Sequence, residues 1–175
     1  MLVANLLRVA SGLAYATLVI GDGAAIVDAL NNVDSETKEL QARVQNWSGD
    51  LFGTFPIITQ SEHVLSSIND ATDTAEDSDP LTAKEALGIA TAVKTLATTV
   101  NGTMTAIINA HDDFEHLHIA SIVLSNLETQ KRASNEMSNV IIDKVPTALQ
   151  AIAKNLAAPV DASFDQAIDV FSSSD

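Results

Sequence analysis

Apolar residues recur along most of the chain at alternating intervals of three and four positions, the spacing that places side chains on one face of an α-helix. The first such stripe follows Gly21 and consists of Ile26, Leu30, Val33, Thr37, Leu40, Val44 and Trp47. It predicts a helix that ends at residues 48–50, where Ser-Gly-Asp forms a stop signal. The alternation with a period of two that is typical of strands does not compete with this pattern.

Two further helices follow in the middle of the chain. The second extends from Phe52 to about Ala75 and ends in the polar, proline-bearing segment 76–80. The third begins at Thr82, which forms a capping box with Glu85, and the pattern predicts that it ends at residues 111–113.

The last third of the chain carries two more stripes. A fourth helix includes Ile119 and Ile141, and its polar stretch 128–135 is predicted to be bent or exposed to solvent. A fifth begins at Pro146, and Pro159 inside it is predicted to kink or divide that helix. Five amphipathic helices with short links predict an all-α protein made of one bundle.

Composition narrows the function classes. Aromatic residues make up only 4% of the 175 residues, so the core must consist mainly of Ala, Val, Leu and Ile. Abundant inward Ala and scarce aromatic filler favour an internal apolar cavity. The net charge of −14 argues against nucleic acids and anionic membranes as partners. The chain has no cysteine, which excludes disulfides and thiol catalysis.

The N-terminus has two interpretations. Residues 1–16 fit either a secretory signal cleaved after Ala16 or a simple N-terminal extension, and residues 17–175 then form the helical domain. Apolar runs of about 18 residues are missing, so the sequence predicts no membrane span.

One polar cluster has the residue types of a metal site. On a helix, His111, Glu115 and His118 would share a face, and Glu115 and His118 form one Glu-x-x-His unit. A di-iron bundle requires two such units, and the sequence contains only this one. Neither a nucleophile elbow nor a phosphate-binding loop is present. The sequence therefore predicts no enzyme, no metal and no cofactor, with a metal-dependent enzyme at 111–118 as the alternative to test.

Three segments carry a resemblance to a known family. Residues 122–127 (IVLSNL) are similar to a Val-Val-Leu-x-x-Leu motif, and residues 144–151 (KVPTALQA) to Lys-Val-Pro-x-x-Leu-Gln-Ala. Residues 161–168 (DASFDQAI) resemble an Asp-x-x-Phe-x-x-Ala-Ile ending. The motifs resemble those of the hydrophobic surface binding protein A family, which includes fungal cell-wall galactomannoproteins. They are packing motifs, so they identify a fold more specifically than a function.

The resemblance implies a secreted or cell-wall fungal protein that holds a long-chain fatty acid between helices and acts in virulence by sequestering host lipid. The alternative that the family offers is adsorption to hydrophobic surfaces and recruitment of polyester-degrading enzymes. We expect a monomer or weak dimer.

The expected ligand site combines an apolar wall with a polar end. Gln60 and Ser61 are the expected contacts of the carboxylate, since the acidic chain favours neutral donors over a lysine clamp. Phe52, Phe55, Phe164 and Phe171 are expected to gate an opening. The residues expected to line the cavity are Phe52, Phe55, Leu65, Ile68, Leu87, Val93, Leu96, Val123, Leu127, Met137, Ile141, Leu149, Ile152, Leu156, Phe164 and Ile168.

Overall fold

The structure, a computed structural model, describes residues 22–173. This range folds into α-helices without a strand. The helices are α1 (Asp22–Gln45), α2 (Leu51–Glu76), α3 (Ala83–Asn109), α4 (His111–His116), α5 (Ala120–Lys144) and α6 (Thr147–Ser172). The sequence prediction for residues 1–16 lies outside the described part of the chain.

The five long helices form a closed ring. Helix α1 packs against α2 and α3, α3 packs against α6, α6 packs against α5, and α5 returns to α2. The short α4 touches α3 and α5. For five cylinders with interaxial distances of about 9–10 Å, a ring leaves a central gap of roughly 7 Å across. The side chains that point inward must fill this gap, or it remains a cavity.

Both ends of the ring are tied together by polar contacts or aromatic packing. At one end, Lys144 Nζ donates to the carbonyl oxygens of Glu76 (2.7 Å) and Ser78, and Leu81 N donates to Lys144 O (2.8 Å). The α2–α3 connection is thereby fixed to the C-terminus of α5. At the other end, Trp47 stacks on Phe114 of α4, with ring centroids 4.6 Å apart.

Local signals at the helix ends are confirmed. Thr82 Oγ1 accepts from Glu85 N, while the Glu85 carboxylate accepts from Thr82 N at 2.9 Å, which completes the predicted capping box. The Thr82 hydroxyl also donates to the Glu85 carboxylate at 2.7 Å. This hydrogen bond, together with the one from Thr82 N, lowers the pKa of Glu85. In the α1–α2 turn, Gly49 has a φ of +76°, a value that favours glycine.

The predicted number of five helices was wrong by one. Residues 111–113, expected to close the third helix, instead begin the separate helix α4. Its Phe114 side chain is only 2% exposed, so burial of this ring against the end of the bundle accounts for the extra turn and a half.

Pro159 does not divide α6, which runs unbroken from Thr147 to Ser172. Proline removes the hydrogen bond that its own N–H would donate to the carbonyl of Asn155. Pro159 and Asn155 are both exposed, so water can satisfy this carbonyl and the lost bond costs little.

The prediction for the polar stretch of α5 is right for one face only. Glu128, Arg132 and Asn135 are exposed as expected, whereas Gln130 and Ser134 are 5% exposed and face inward. Helix α5 continues through it without interruption.

A buried carboxylate joins α1 to α3. Asp34 is 7% exposed, although its sequence position lies beside the apolar stripe of α1. Its Oδ1 accepts from Thr99 Oγ1 at 2.5 Å and its Oδ2 accepts from Lys38 Nζ at 2.6 Å. A buried charge is tolerable only when its oxygens are paired in this way.

We expect Thr99→Val to destabilise the protein by about 1–3 kcal/mol, because it leaves Asp34 Oδ1 buried without a donor. The control is Thr98→Val, which removes an exposed hydroxyl that donates to Lys94 O of the same helix and should change stability by less than about 0.5 kcal/mol. Urea denaturation of both variants measures the difference. Equal effects of the two substitutions would contradict a structural role for the Asp34–Thr99 contact.

Candidate functional site

The centre of the ring is a cavity of about 420 Å³. All five long helices contribute to its wall. Its lining consists of Leu30, Val33, Thr37, Leu40, Val64, Ile68, Ala83, Ala86, Leu87, Ile89, Ala90, Val93, Leu96, Val100, Thr103, Met104, Gln130, Ser134, Met137, Ser138, Ile141, Ile142, Val145, Leu149, Ile152, Ala153, Leu156, Ala157, Val160 and Phe164. An apolar cavity of about 150 Å³ already accommodates benzene, so this space is large enough for a much longer apolar molecule.

The wall of the cavity is almost entirely apolar. Of its 30 lining residues, only Thr37, Thr103, Gln130, Ser134 and Ser138 are polar, and none is charged. Thr37 donates its hydroxyl to Val33 O and Thr103 donates to Thr99 O, so both threonine hydroxyls are satisfied within the helices. The remaining three polar residues all belong to α5.

These three residues form a polar stripe along one helix. Gln130, Ser134 and Ser138 are spaced at i, i+4 and i+8, which places them one above the other on the inner face of α5. Within residues 22–173, no hydrogen-bond partner is found for the hydroxyls of Ser134 and Ser138. A hydroxyl that faces an apolar space without a partner is unfavourable. The stripe therefore offers two free donors to any polar group of a ligand.

Gln130 separates the cavity from a smaller one. A second space of about 40 Å³ lies toward α4, and Gln130 and Leu40 line both. Gln130 Nε2 donates to Ser61 Oγ at 2.7 Å and to Ser61 O at 3.2 Å, which holds this side chain across the boundary. The hydrogen bond from α5 to α2 thus limits the length of the main cavity.

The cavity reaches the surface between α3 and α6. Leu87 and Ile152 belong to its lining, yet they are 71% and 58% exposed, and Ala83 in the first turn of α3 is exposed as well. We call the gap bordered by these three residues the mouth. An apolar ligand can enter here without passing a charged lining residue.

The opposite end of the bundle is closed by aromatic rings. Phe114 lies between Trp47 and Phe171, and the edge of His111 packs on Phe171 with centroids 4.7 Å apart. Phe171 is 3% exposed. The rings pack closely at this end, whereas the exposed residues of the cavity lining lie at the mouth.

The structure brings ten of the sixteen predicted cavity residues to the main cavity: Ile68, Leu87, Val93, Leu96, Met137, Ile141, Leu149, Ile152, Leu156 and Phe164. Val123 and Leu127 line the smaller one. Leu65 and Ile168 are half-buried outside both linings, and Phe52 and Phe55 are 83% and 62% exposed. The four phenylalanines expected at an opening therefore do not meet, since Phe164 lines the cavity and Phe171 lies in the aromatic end.

Gln60 and Ser61 are placed away from the main cavity. Gln60 Nε2 donates to the backbone oxygen and to the carboxylate of Glu36, so the NH₂ group of its amide is already engaged. Ser61 lines the smaller cavity and accepts from Gln130. The sequence analysis missed the stripe Gln130, Ser134 and Ser138, although a spacing of four within a polar run was available as a signal.

The acidic and histidine side chains of segment 111–118 do not group as predicted from helical spacing, which placed His111, Glu115 and His118 on one face. His111, Asp112 and Glu115 have potential ligand atoms within 4.8 Å of one another. His118 lies beyond the end of α4, with a φ of 58°, and is not part of this group. Asp112 and Glu115 are exposed, as carboxylates near a helix start often are.

Comparison with known proteins agrees with this architecture. The model of the family described as Hydrophobic surface binding protein A matches residues 23–143, which is more than half of the chain. The chain belongs to this family. The family match covers α1 to α5, and the resemblance seen in the sequence motifs is thereby confirmed.

Two relatives of the chain are both named cell wall mannoprotein 1. The chain is 27% identical to cell wall mannoprotein 1 of Aspergillus fumigatus over 165 residues, and 25% identical to cell wall mannoprotein 1 of Aspergillus flavus over 162 residues. These matches cover 94% and 92% of this chain but 57% and 59% of the relatives. The chain thus spans well under two thirds of their length.

Two solved structures share the fold. The crystal structure of Afmp4p in complex with palmitic acid superposes with a TM-score of 0.82, at 21% identity, over 85% of this chain and 99% of that one. Ligand binding domain 1 of the Penicillium marneffei MP1 protein, complexed with arachidonic acids, gives a TM-score of 0.81 at 19% identity, over 86% and 98%. At these identities the likeness establishes a common fold.

Among residues 22–173, no helix combines the length and the hydropathy that crossing a bilayer requires.

Proposed function

We propose that this protein binds a long-chain fatty acid in the central cavity of its helical ring. The observation that carries the proposal is the uncharged, largely apolar cavity of about 420 Å³, within the range of small-molecule sites. Burial of a tail of about 16–20 carbons contributes about 0.8 kcal/mol per CH₂ before the cost of ordering the chain. The fatty acids in the related structures support the same ligand class.

The polar stripe is the proposed site of the carboxylate. The hydroxyls of Ser134 and Ser138 face the cavity as free donors, whereas Gln60 is engaged by Glu36. Two neutral donors bind an anion without placing a buried cation in the wall. This assignment replaces Gln60 and Ser61, the pair expected from the sequence.

We further propose a secreted or cell-wall location, supported by the relatives that are named cell wall mannoproteins. Sequestration of host lipid by a fungus follows from a tight fatty-acid site in such a location. Within residues 22–173 we identify no surface that points to recruitment of polyester-degrading enzymes. Adsorption to hydrophobic surfaces is a second candidate function, favoured by the exposed side chains of Leu51, Phe52 and Phe55 at the start of α2.

The proposed function predicts saturable binding of one or more fatty acids to delipidated protein, measured by native mass spectrometry and by calorimetry with palmitic acid. Ala157→Phe places a ring in the cavity and should weaken binding at least tenfold, because it occupies the volume of the tail. The control is Ala158→Phe, on the exposed side of the same helix, which should bind like the wild type. Failure of the delipidated wild type to bind fatty acid would refute the proposal.

The double substitution Ser134→Ala with Ser138→Ala separates binding from stability. We expect about a tenfold or greater loss of palmitic acid affinity, since hydrogen bonds to a charged group are worth about 1.5–3 kcal/mol. Stability of the ligand-free protein should stay equal or rise, because the variant removes unpaired hydroxyls from an apolar wall. The methyl ester of palmitic acid serves as the control ligand and should lose less affinity. An equal loss for acid and ester would place the carboxylate elsewhere.

Gln130 is expected to set the preferred chain length. Gln130→Ala joins the two cavities and should raise the preference for arachidic over palmitic acid, by roughly fourfold for each additional buried CH₂. Gln130→Met retains the bulk without the hydrogen bond to Ser61 and should keep the wild-type preference. Competition between the two acids, read by mass spectrometry, measures the ratio. The same ratio in wild type and Gln130→Ala would show that this boundary does not limit the tail.

A further inference from the structure

Charge is distributed unevenly around the mouth. The whole chain carries −14, yet the segments 83–110 and 144–160, which supply the α3 and α6 borders of the mouth, contain four lysines and a single acid, Glu85. The lysines are Lys84, Lys94, Lys144 and Lys154. These two segments together hold a charge of +3, so the remainder of the chain holds −17.

Two of these lysines flank the exposed apolar residue of α3. Lys84 and Leu87 are three positions apart, and Leu87 and Lys94 are seven apart, so all three lie along one side of the helix. Lys94 also lines an exposed groove between α3 and α6. Lys84 and Lys94 are exposed, and within residues 22–173 neither forms an ion pair with a carboxylate.

Lys144 and Lys154 contribute less directly to the positive charge beside the mouth. Lys144 donates to the carbonyl oxygens of Glu76 and Ser78, so its charge is held at the end of the bundle. Lys154 is exposed on α6, two residues from Ile152.

Acidic residues lie at the end of the bundle where α3 begins, among them Asp22, whose Oδ2 accepts from Asp79 N at 2.8 Å. Glu85 is beside Lys84, and Glu76, Asp77 and Asp79 belong to the connection before α3. Lys94 is about 15 Å further along the helix than Lys84, at 1.5 Å per residue. The Debye length is about 8 Å at physiological ionic strength, so these acids screen Lys84 more than Lys94. The side of α3 that borders the mouth thus presents the exposed Lys84 and Lys94, and the groove that Lys94 lines contains no acidic residue.

We propose that this face docks transiently on an anionic lipid surface and that a fatty acid passes from this surface through the mouth into the cavity. The inference rests on the proposed fatty-acid binding and names the source from which the ligand is taken. A lipid surface fits because the exposed Leu87 and Ile152 are continuous with the cavity wall, and because cationic side chains flank Leu87. Apolar contact and attraction to anionic head groups act together at such interfaces.

The charge of the rest of the protein determines the orientation. Acidic surfaces are repelled by anionic head groups, whereas basic residues near them are attracted within about a Debye length. An approach with the α3–α6 face toward the lipid reduces this repulsion. The net charge of −14, which by itself argues against an anionic membrane, thus favours this docking geometry over others.

The test compares two double variants with the same change in net charge. Lys84→Glu with Lys94→Glu reverses the charges beside the mouth, and Arg43→Glu with Arg132→Glu makes the same change on α1 and α5, away from the cavity lining. Each protein is mixed with phosphatidylcholine vesicles that contain either no anionic lipid or roughly one third phosphatidylglycerol, a fraction sufficient for a negative surface potential. Flotation at low salt measures the bound fraction.

We expect the wild type to bind anionic vesicles more than neutral ones, and Lys84→Glu with Lys94→Glu to bind them at least about tenfold less, since each basic residue contributes roughly fivefold. The arginine variant should lose less than about threefold, because its residues are distant from the docked face. Weaker binding of the wild type to anionic than to neutral vesicles, or equal losses in both variants, would overturn the proposal.

Transfer of palmitic acid from the same vesicles separates docking from binding. If the lipid surface is the source, the transfer rate rises with vesicle concentration and with anionic content, and it falls in the lysine variant while the equilibrium affinity stays unchanged. A rate independent of both quantities would mean uptake from water and would contradict docking. A wild type that binds no palmitic acid would refute the proposed function, while flotation would still report on the docking face.

A second copy of the chain is the competing occupant of the apolar mouth. Light scattering at the concentrations of the flotation assay should show a monomer for the wild type. A dimer that Leu87→Ser dissociates would assign this face to self-association and overturn the proposal.

Discussion

The architecture depends on one packing constraint: five helices in a ring cannot close their own centre with small side chains. A ring with helix spacings of about 9–10 Å leaves a gap of roughly 7 Å, and the inward residues are mostly Ala, Val, Leu and Ile. Space that no side chain fills lacks van der Waals partners, and this lowers stability in proportion to the unfilled volume. Occupation by an apolar ligand removes that cost, which ties stability to binding.

The wall of the cavity contains few polar groups, so each of them has a distinct effect on what the cavity can hold. Gln130 is held by Ser61 and limits the length of the cavity, while Ser134 and Ser138 remain unpaired on the same face of α5. In an apolar wall, a free hydroxyl has no water to compete with a ligand for its hydrogen bond. One helix face therefore combines a boundary for the tail with donors for a carboxylate.

The two ends of the ring are held by different contacts, and the cavity meets solvent at the side. Aromatic packing of Trp47, Phe114 and Phe171 closes one end, and the Lys144 hydrogen bonds fasten the other. The exposed Leu87 and Ile152 then mark where the cavity meets solvent. In a chain of net charge −14, the exposed lysines Lys84 and Lys94 of α3 lie on this same side.

The helices were predictable from the order of residues alone, because the apolar spacing and the end signals act within a few residues. The Thr82–Glu85 capping box and the Gly49 turn were found where local pattern placed them, and most of the predicted cavity residues came from the same stripes. The folded structure was needed to show which helices are neighbours, and hence that the stripes surround a space. It alone showed that Gln130, Ser134 and Asp34 face inward, that Phe114 orders α4, and that Phe52 and Phe55 stay outside. Those outcomes depend on contacts between distant segments, which periodicity along one helix does not contain.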